Sequence, residues 1–274
     1  MKSIIELETG HKFKGDNFGF ISQASGELVF QTGVTGYPET ITDPSYSRQI
    51  IVFTTPLINN YGFPKDNINQ YGINESLESD KPQCKAIIVQ EFTKNCSHYE
   101  AHESFTDWLI NNKVIGLEGI DTRLLTKIIR ENGSCKAIIY NEKDVILPNF
   151  IDIGNLNLVK ELIVKKKIHY GISKNQILFF DCGAKNSQLT ALLMRGLSVD
   201  RVPYNYTISL KEIKENYSGI FISNGPGNPE HLLELIHLIK TIIDCNINIP
   251  IFGICLGNQV LGLASGFKTY KLKY

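Results

Sequence analysis

With 274 residues, 42% of them hydrophobic and 20% charged, the chain has the length of one large or two ordinary domains and the composition of a globular protein. Lys+Arg and Asp+Glu each number 28, so the formal net charge is zero, which argues against a nucleic-acid or membrane partner held by bulk electrostatics. Collagen, coiled-coil and disulfide-miniprotein classes are excluded, and the six scattered cysteines offer no C-x-x-C pair for a structural metal.

In chain order, the first half reads as β-rich with helices added. Strands are expected at 27–31, 49–54, 86–92 and 135–140, all rich in Ile, Val and Phe. The pentapeptide Cys-Lys-Ala-Ile-Ile begins at both Cys84 and Cys135 and reads as two similar strands, too short for a repeat architecture. Asp121 or Thr122 caps a helix carrying Leu124, Leu125, Ile128 and Ile129 on one side, with Gly133 after it. From 147 to 175 Asn and Lys accumulate without a clean period, and Lys165-Lys-Lys167 reads as a solvated face. This stretch is expected to connect a domain at 1–146 to a second at 176–274.

The second half alternates. Short apolar runs at 177–181, 198–202, 219–223 and 249–254 are separated by helical patterns at 187–195, from Ser209, after Asn228-Pro-Glu230 and from Gln259. Ser209-Leu-Lys-Glu212 has the form of a capping box. The helix after Asn228 is expected to bury Leu232, Leu235, Ile236, Ile239 and Ile243. Strand–helix alternation of this kind implies a parallel sheet with right-handed crossovers, an α/β domain whose sites lie at the carboxyl ends of its strands.

Gly253-Ile-Cys255-Leu-Gly257 sits where such a strand meets a helix. It is the cysteine counterpart of the Gly-x-Ser-x-Gly elbow, in which a strained turn exposes a nucleophile and flanking glycines avoid backbone clashes. A sulfur there lies over a helix N-terminus, which favours an anion, and the Leu256 amide follows it as an oxyanion donor. The competing reading makes Cys255 a small buried hydrophobe at a strand end. Asn224-Gly-Pro-Gly227 shifts the balance. It also joins a strand end to a capped helix on the same sheet edge, and the Gly225 and Gly227 amides could complete an oxyanion hole.

With these residues the sequence resembles the small (glutaminase) chain of carbamoyl phosphate synthetases, whose C-terminal half is a class I, triad-type glutamine amidotransferase. Thr35-Gly-Tyr-Pro-Glu-Thr-Ile-Thr-Asp-Pro-Ser-Tyr-Ser-Arg-Gln49, Pro56-Leu-Ile-Asn-Asn-Tyr-Gly62, Gly119-Ile-Asp-Thr-Arg123 and Phe180-Asp-Cys-Gly-Ala-Lys185 carry the resemblance along the whole chain. It implies a β-rich N-terminal domain followed by a flavodoxin-like amidotransferase domain lacking its C-terminal part. It also implies that Cys255 attacks the glutamine side-chain amide to form a thioester and release ammonia. Leu256 and Gly225 would supply oxyanion amides, with Gly227, Gln259 and Ser45 holding glutamine. Ammonia would pass to a large-chain partner that makes carbamoyl phosphate from bicarbonate for arginine and pyrimidines. ATP and Mg would be used there, with no cofactor on this chain, which shows no Walker-type loop.

The family's triad His and Glu lie well downstream of the nucleophile, and the 274 residues hold neither. Without that base a Cys site should lose most of its turnover, so a catalytically inactive docking or regulatory subunit is the alternative reading. A small-molecule module on a flavodoxin-like sheet is a third, for which Gly-Ile-Cys-Leu-Gly has no purpose. His231, in the first turn after Gly-Pro-Gly, could approach the site edge, although a solvated surface His is the simpler account. Asn258 stands where the family has His, and Cys182 where it has an aromatic. Cys96, His98, His102 and Glu103 cluster closely, but His-Tyr-Glu-Ala-His is no zincin pattern, and no metal is expected. The start of the chain lacks the run of a secretory peptide and the Arg- and Ser-rich look of a transit peptide. Ile-, Asn- and Lys-rich usage suits a cytoplasmic protein of a low-GC bacterium or one made in a plastid stroma.

Overall fold

The computed structural model describes residues 1–99 and 101–272, which fall into two compact units. One comprises Met1–Asn67 with Ser76–Ile153, the other Ile68–Glu75 with Gly154–Lys271. Eight residues of the first half, Ile68–Glu75, thus cluster with the second unit. There Asn69 Oδ1 accepts the Tyr71 and Ile73 amides at 2.9 and 3.1 Å, and Asn186 Nδ2 donates to the Asn74 carbonyl at 3.1 Å. Among the described residues no helix is long and apolar enough to cross a membrane.

The first unit is a closed seven-stranded barrel, its strands in the order Lys2–Leu7, Cys135–Asn141, Ala24–Gln31, Gln49–Phe53, Ala86–Ile88, Ile115–Glu118 and Lys12–Asn17. Gln49–Phe53 and Ala86–Ile88 pair in parallel and are buried on both faces, which is why they read as unbroken apolar runs. Ile50, Val52, Ala86 and Ile88 join one core with Leu125, Ile128 and Ile129 of the helix Thr122–Asn132. Ile51, Phe53 and Ile87 face a second core containing Phe105 and Trp108. Asp121 Oδ1 accepts the Leu124 amide at 2.8 Å, as the cap reading expects, and Gly133 closes the helix at φ 84°. Leu124 turns outward, 42% exposed, so the buried stripe is narrower than its sequence period suggests. The run expected at 86–92 breaks into Ala86–Ile88 and Glu91–Phe92.

The second unit holds a five-stranded sheet in the order Ile168–Tyr170, Ser198–Pro203, Gln176–Asp181, Gly219–Ile222 and Ile251–Gly253. Its last four strands pair in parallel and the first is an antiparallel edge. The stretch 147–175, expected as a connection, therefore supplies a strand of its own and a turn of helix, Val159–Leu162. One face packs Leu178, Phe180, Val202, Ile220 and Ile222 against the helices Leu210–Asn216, Leu233–Asp244 and Leu256–Ala264. The other packs Phe179, Val199 and Phe221 against Leu189 and Leu193 of Asn186–Leu193. Ser209 and Glu212 form the expected capping box. After Asn228 the chain makes a 3₁₀ turn, Pro229–His231, before the helix starts at Leu233. That phase shift buries Ile242 where Ile243 was expected; Ile243 is 37% exposed.

The antiparallel edge is fastened by charge. The Asp200 carboxylate, almost fully buried, accepts from Lys167 Nζ at 3.0 Å and Tyr217 Oη at 2.7 Å, and His169 Nδ1 lies 2.7 Å from it. Burial alone would push the Asp200 carboxyl up, but hydrogen bonds from Tyr217, His169 and Lys167 outweigh it and hold the group below its ordinary value. The native state therefore binds this proton less readily than the unfolded chain. The stability gained is present above the unfolded value of about 3.9 and is lost as pH falls through the folded value. Chemical denaturation across pH 2–6 is expected to show a shallower acid loss in Asp200→Asn than in the unmodified protein; parallel acid limbs would exclude this role.

Candidate active site

Three strand ends of the parallel sheet carry the site. At the end of Ile251–Gly253 the Ile254 amide donates to the Ile222 carbonyl at 3.0 Å, Cys255 follows, and the helix Leu256–Ala264 begins at once. Cys255 is the N-cap, with φ 52° and ψ −110°, a left-handed backbone in a residue other than glycine. Such a conformation costs about 1–3 kcal/mol and persists only where its surroundings over-determine it.

Two glycines do so here. A Cβ on Gly253 would meet the Gly257 carbonyl carbon and oxygen at 2.5 Å, and one on Gly257 would meet the Ile222 carbonyl oxygen at 2.2 Å. Strand, turn and helix thus touch backbone to backbone, and the Cys255 side chain is pushed outward. Cys255 is exposed, so the reading as a buried hydrophobe fails. Leu256, behind it, is buried, and its amide, first in the helix, has no intrahelical acceptor. One turn on, Gln259 is exposed and its amide donates to the Cys255 carbonyl at 3.1 Å. Asn258 is exposed beside it.

The neighbouring strand Gly219–Ile222 runs into Ser223-Asn-Gly-Pro-Gly227. Gly225 is buried and Gly227 exposed, the latter at φ 87°, and the Asn228 side chain caps the 3₁₀ turn by accepting the Glu230 amide at 3.0 Å. A Cβ on Gly225 would lie 1.8 Å from the Cys182 carbonyl oxygen and 2.9 Å from Leu256 Cδ2. Gly225 and Leu256, the two expected oxyanion donors, are therefore packed together beside Cys255.

Ser45 lies in the barrel unit, on the 3₁₀ turn Pro44–Tyr46, where its amide donates to Asp43 Oδ1 at 2.8 Å. His231 ends the 3₁₀ turn and is half-buried, not a solvated surface residue; Asn157 Nδ2 donates to its carbonyl at 3.2 Å. Cys182 is fully buried in the sheet core, and burial pushes its thiol well up, as suits packing. His98 and His102 do not share a helix: His102 lies in the short strand Ala101–Glu103 and the next helix, Phe105–Asn111, starts beyond it. Sequence reasoning missed the buried Asp181 and Ser223, whose one signal is a polar residue closing an apolar strand.

The chain matches two family models: the carbamoyl-phosphate synthase small chain, CPSase domain, over residues 5–139, and class-I glutamine amidotransferase over 178–274. It is 42% identical to a carbamoyl phosphate synthase arginine-specific small chain of Chaetomium globosum, over 98% of this chain and 59% of that one. The corresponding small chain of Candida albicans is also 42% identical, over 100% of this chain and 65% of that one. The multifunctional protein CAD of Squalus acanthias is 44% identical over 98% of this chain and 12% of that protein. The chain thus spans about three-fifths of the length of the curated small chains it matches. With one model on each half and this identity running through the whole chain, the protein belongs to the carbamoyl-phosphate synthase small-chain family.

Proposed function

We propose that this chain is the glutamine-hydrolysing part of a carbamoyl phosphate synthase. The observation that carries the reading is the exposed Cys255 held at φ 52° between Gly253 and Gly257, with Leu256 and Gly225 packed beside it. Order in the parallel part of the sheet supports it. Numbered by sequence, the strands run 2-1-3-4, the flavodoxin-like order, and the crevice between the first and third strands is where such sheets bind ligands. The Cys182–Lys185 and Ser223–Gly227 loops flank that crevice.

Cys255 Sγ attacks the side-chain amide carbon of glutamine. The carbonyl oxygen takes the charge and is met by the Leu256 and Gly225 amides, at the positive end of the helix Leu256–Ala264. Collapse of the adduct expels ammonia and leaves a γ-glutamyl thioester, which water cleaves to glutamate. Gln259 and Gly227 orient the substrate. The proton steps need a general base and acid, which the family resemblance assigns to a His–Glu pair. Ammonia passes to a large-chain partner, where bicarbonate, ATP and Mg are used.

The test is ammonia and glutamate release from L-glutamine by the full-length protein. Equal amounts of the two products are expected. A protein that folds, carries its whole sequence and releases neither would leave the docking-subunit reading in place.

A further inference from the structure

Behind the Gly225 loop lies a second turn, Cys182–Lys185, which the proposed reaction leaves without a task. Three buried residues join them. Ser223 Oγ accepts the Cys182 amide at 2.8 Å and donates to the Asn224 carbonyl at 2.8 Å. Asn224 Oδ1 accepts the Lys185 amide at 3.3 Å. Asp181 Oδ1 folds the turn by accepting the Gly183 and Ala184 amides, both at 2.9 Å. Its Oδ2 takes Arg201 Nε at 2.9 Å, Arg201 Nη2 at 2.8 Å and the Val164 amide at 3.0 Å. A buried carboxylate is tolerated only when satisfied in this way. The result is a fixed position for the Cys182 carbonyl, the atom that allows no Cβ on Gly225.

We propose that Ser223 and Asp181 are positioning residues that set the Gly225 amide toward the developing oxyanion through the Cys182–Lys185 turn. Neither touches substrate. A preorganised donor loses its worth when its backbone can relax, because the reaction then has to reorganise it. The proposal rests on the glutaminase reading above, so its test needs one readout tied to turnover and one that is not.

Ser223→Ala in the full-length protein removes both hydroxyl bonds with little change in volume. Ser198→Ala is the matched control. Ser198 is equally buried and its hydroxyl donates to the Ser173 carbonyl at 3.0 Å, but it lies at the amino end of its strand, away from the site. In Ser223→Ala, kcat for glutamine is expected to fall about tenfold with KM within about twofold, short of the about 10²–10³ that losing an oxyanion donor outright costs. Alkylation of Cys255 by iodoacetamide, which needs no oxyanion donor, is expected to stay within about twofold. Amide hydrogen exchange in the Ser223–Asn228 peptide is expected to quicken about tenfold, the equivalent of one lost buried hydrogen bond. Ser198→Ala should leave all three unchanged. Unchanged exchange at Ser223–Asn228 in Ser223→Ala, or equal kcat losses in the two variants, would overturn the proposal. The two failures are distinguishable: an unmodified protein that releases no ammonia sinks the glutaminase reading and the positioning role with it, whereas an active unmodified protein whose Ser223→Ala variant shows unchanged exchange sinks the positioning role alone.

Discussion

Cys255→Ser in the full-length protein is expected to lower glutamine hydrolysis by about 10³-fold or more, since truncating a covalent nucleophile commonly costs that much or beyond. Serine keeps the size and the strained backbone, so the loss reports sulfur chemistry and not collapse of the turn. The turn tolerates φ 52° because Gly253 and Gly257 close around it. Thermal unfolding of the variant should therefore match the unmodified protein. Hydrolysis reduced by less than about tenfold would move the nucleophile to another residue.

Gly225→Ala is expected to be the most damaging change that leaves Cys255 in place. The added methyl would lie 1.8 Å from the Cys182 carbonyl oxygen and 2.9 Å from Leu256 Cδ2. The nearest obstacle is backbone, held by the Asp181 and Ser223 hydrogen bonds, so it has no rotamer through which to yield. Overpacking of this kind costs about 1–3 kcal/mol, and a clash with fixed backbone belongs at the upper end. Glutamine hydrolysis is expected to drop at least about 10²-fold, because the shift displaces an oxyanion amide as well as straining the sheet edge. Denaturant unfolding checks the first effect and steady-state turnover the second. An alanine variant with ordinary stability would mean that the 182–185 turn is free to move.

Much of the second unit was legible because its physics is local. Apolar runs of four to six residues, the Ser209–Glu212 capping box, and glycines at 253 and 257 each announce one element or one turn. The candidate site was legible for the same reason, since Cys255, Leu256, Gly225 and Gly227 belong to two short loops. The barrel was harder. Lys12–Asn17 carries a single apolar residue, Phe13, and is a strand because Lys2–Leu7 and Ile115–Glu118 pair with it on both sides. Ile168–Tyr170 lay hidden beside a lysine run, held to the sheet by a buried aspartate thirty residues on. Asp181 and Ser223 act through hydrogen bonds to backbone that only the folded turn presents. Long-range pairing of this sort leaves no period in the sequence to find.

Labelling with a glutamine-like electrophile tests the nucleophile assignment most directly. The full-length protein would be treated with 6-diazo-5-oxo-L-norleucine, with and without excess glutamine, and the modified peptide mapped by mass spectrometry. The expected result is a single adduct on Cys255, suppressed by glutamine, while the buried Cys84, Cys135 and Cys182 and the exposed Cys245 stay unmodified. An adduct on another residue, or glutamine consumed by a protein whose Cys255 stays unlabelled, would contradict it.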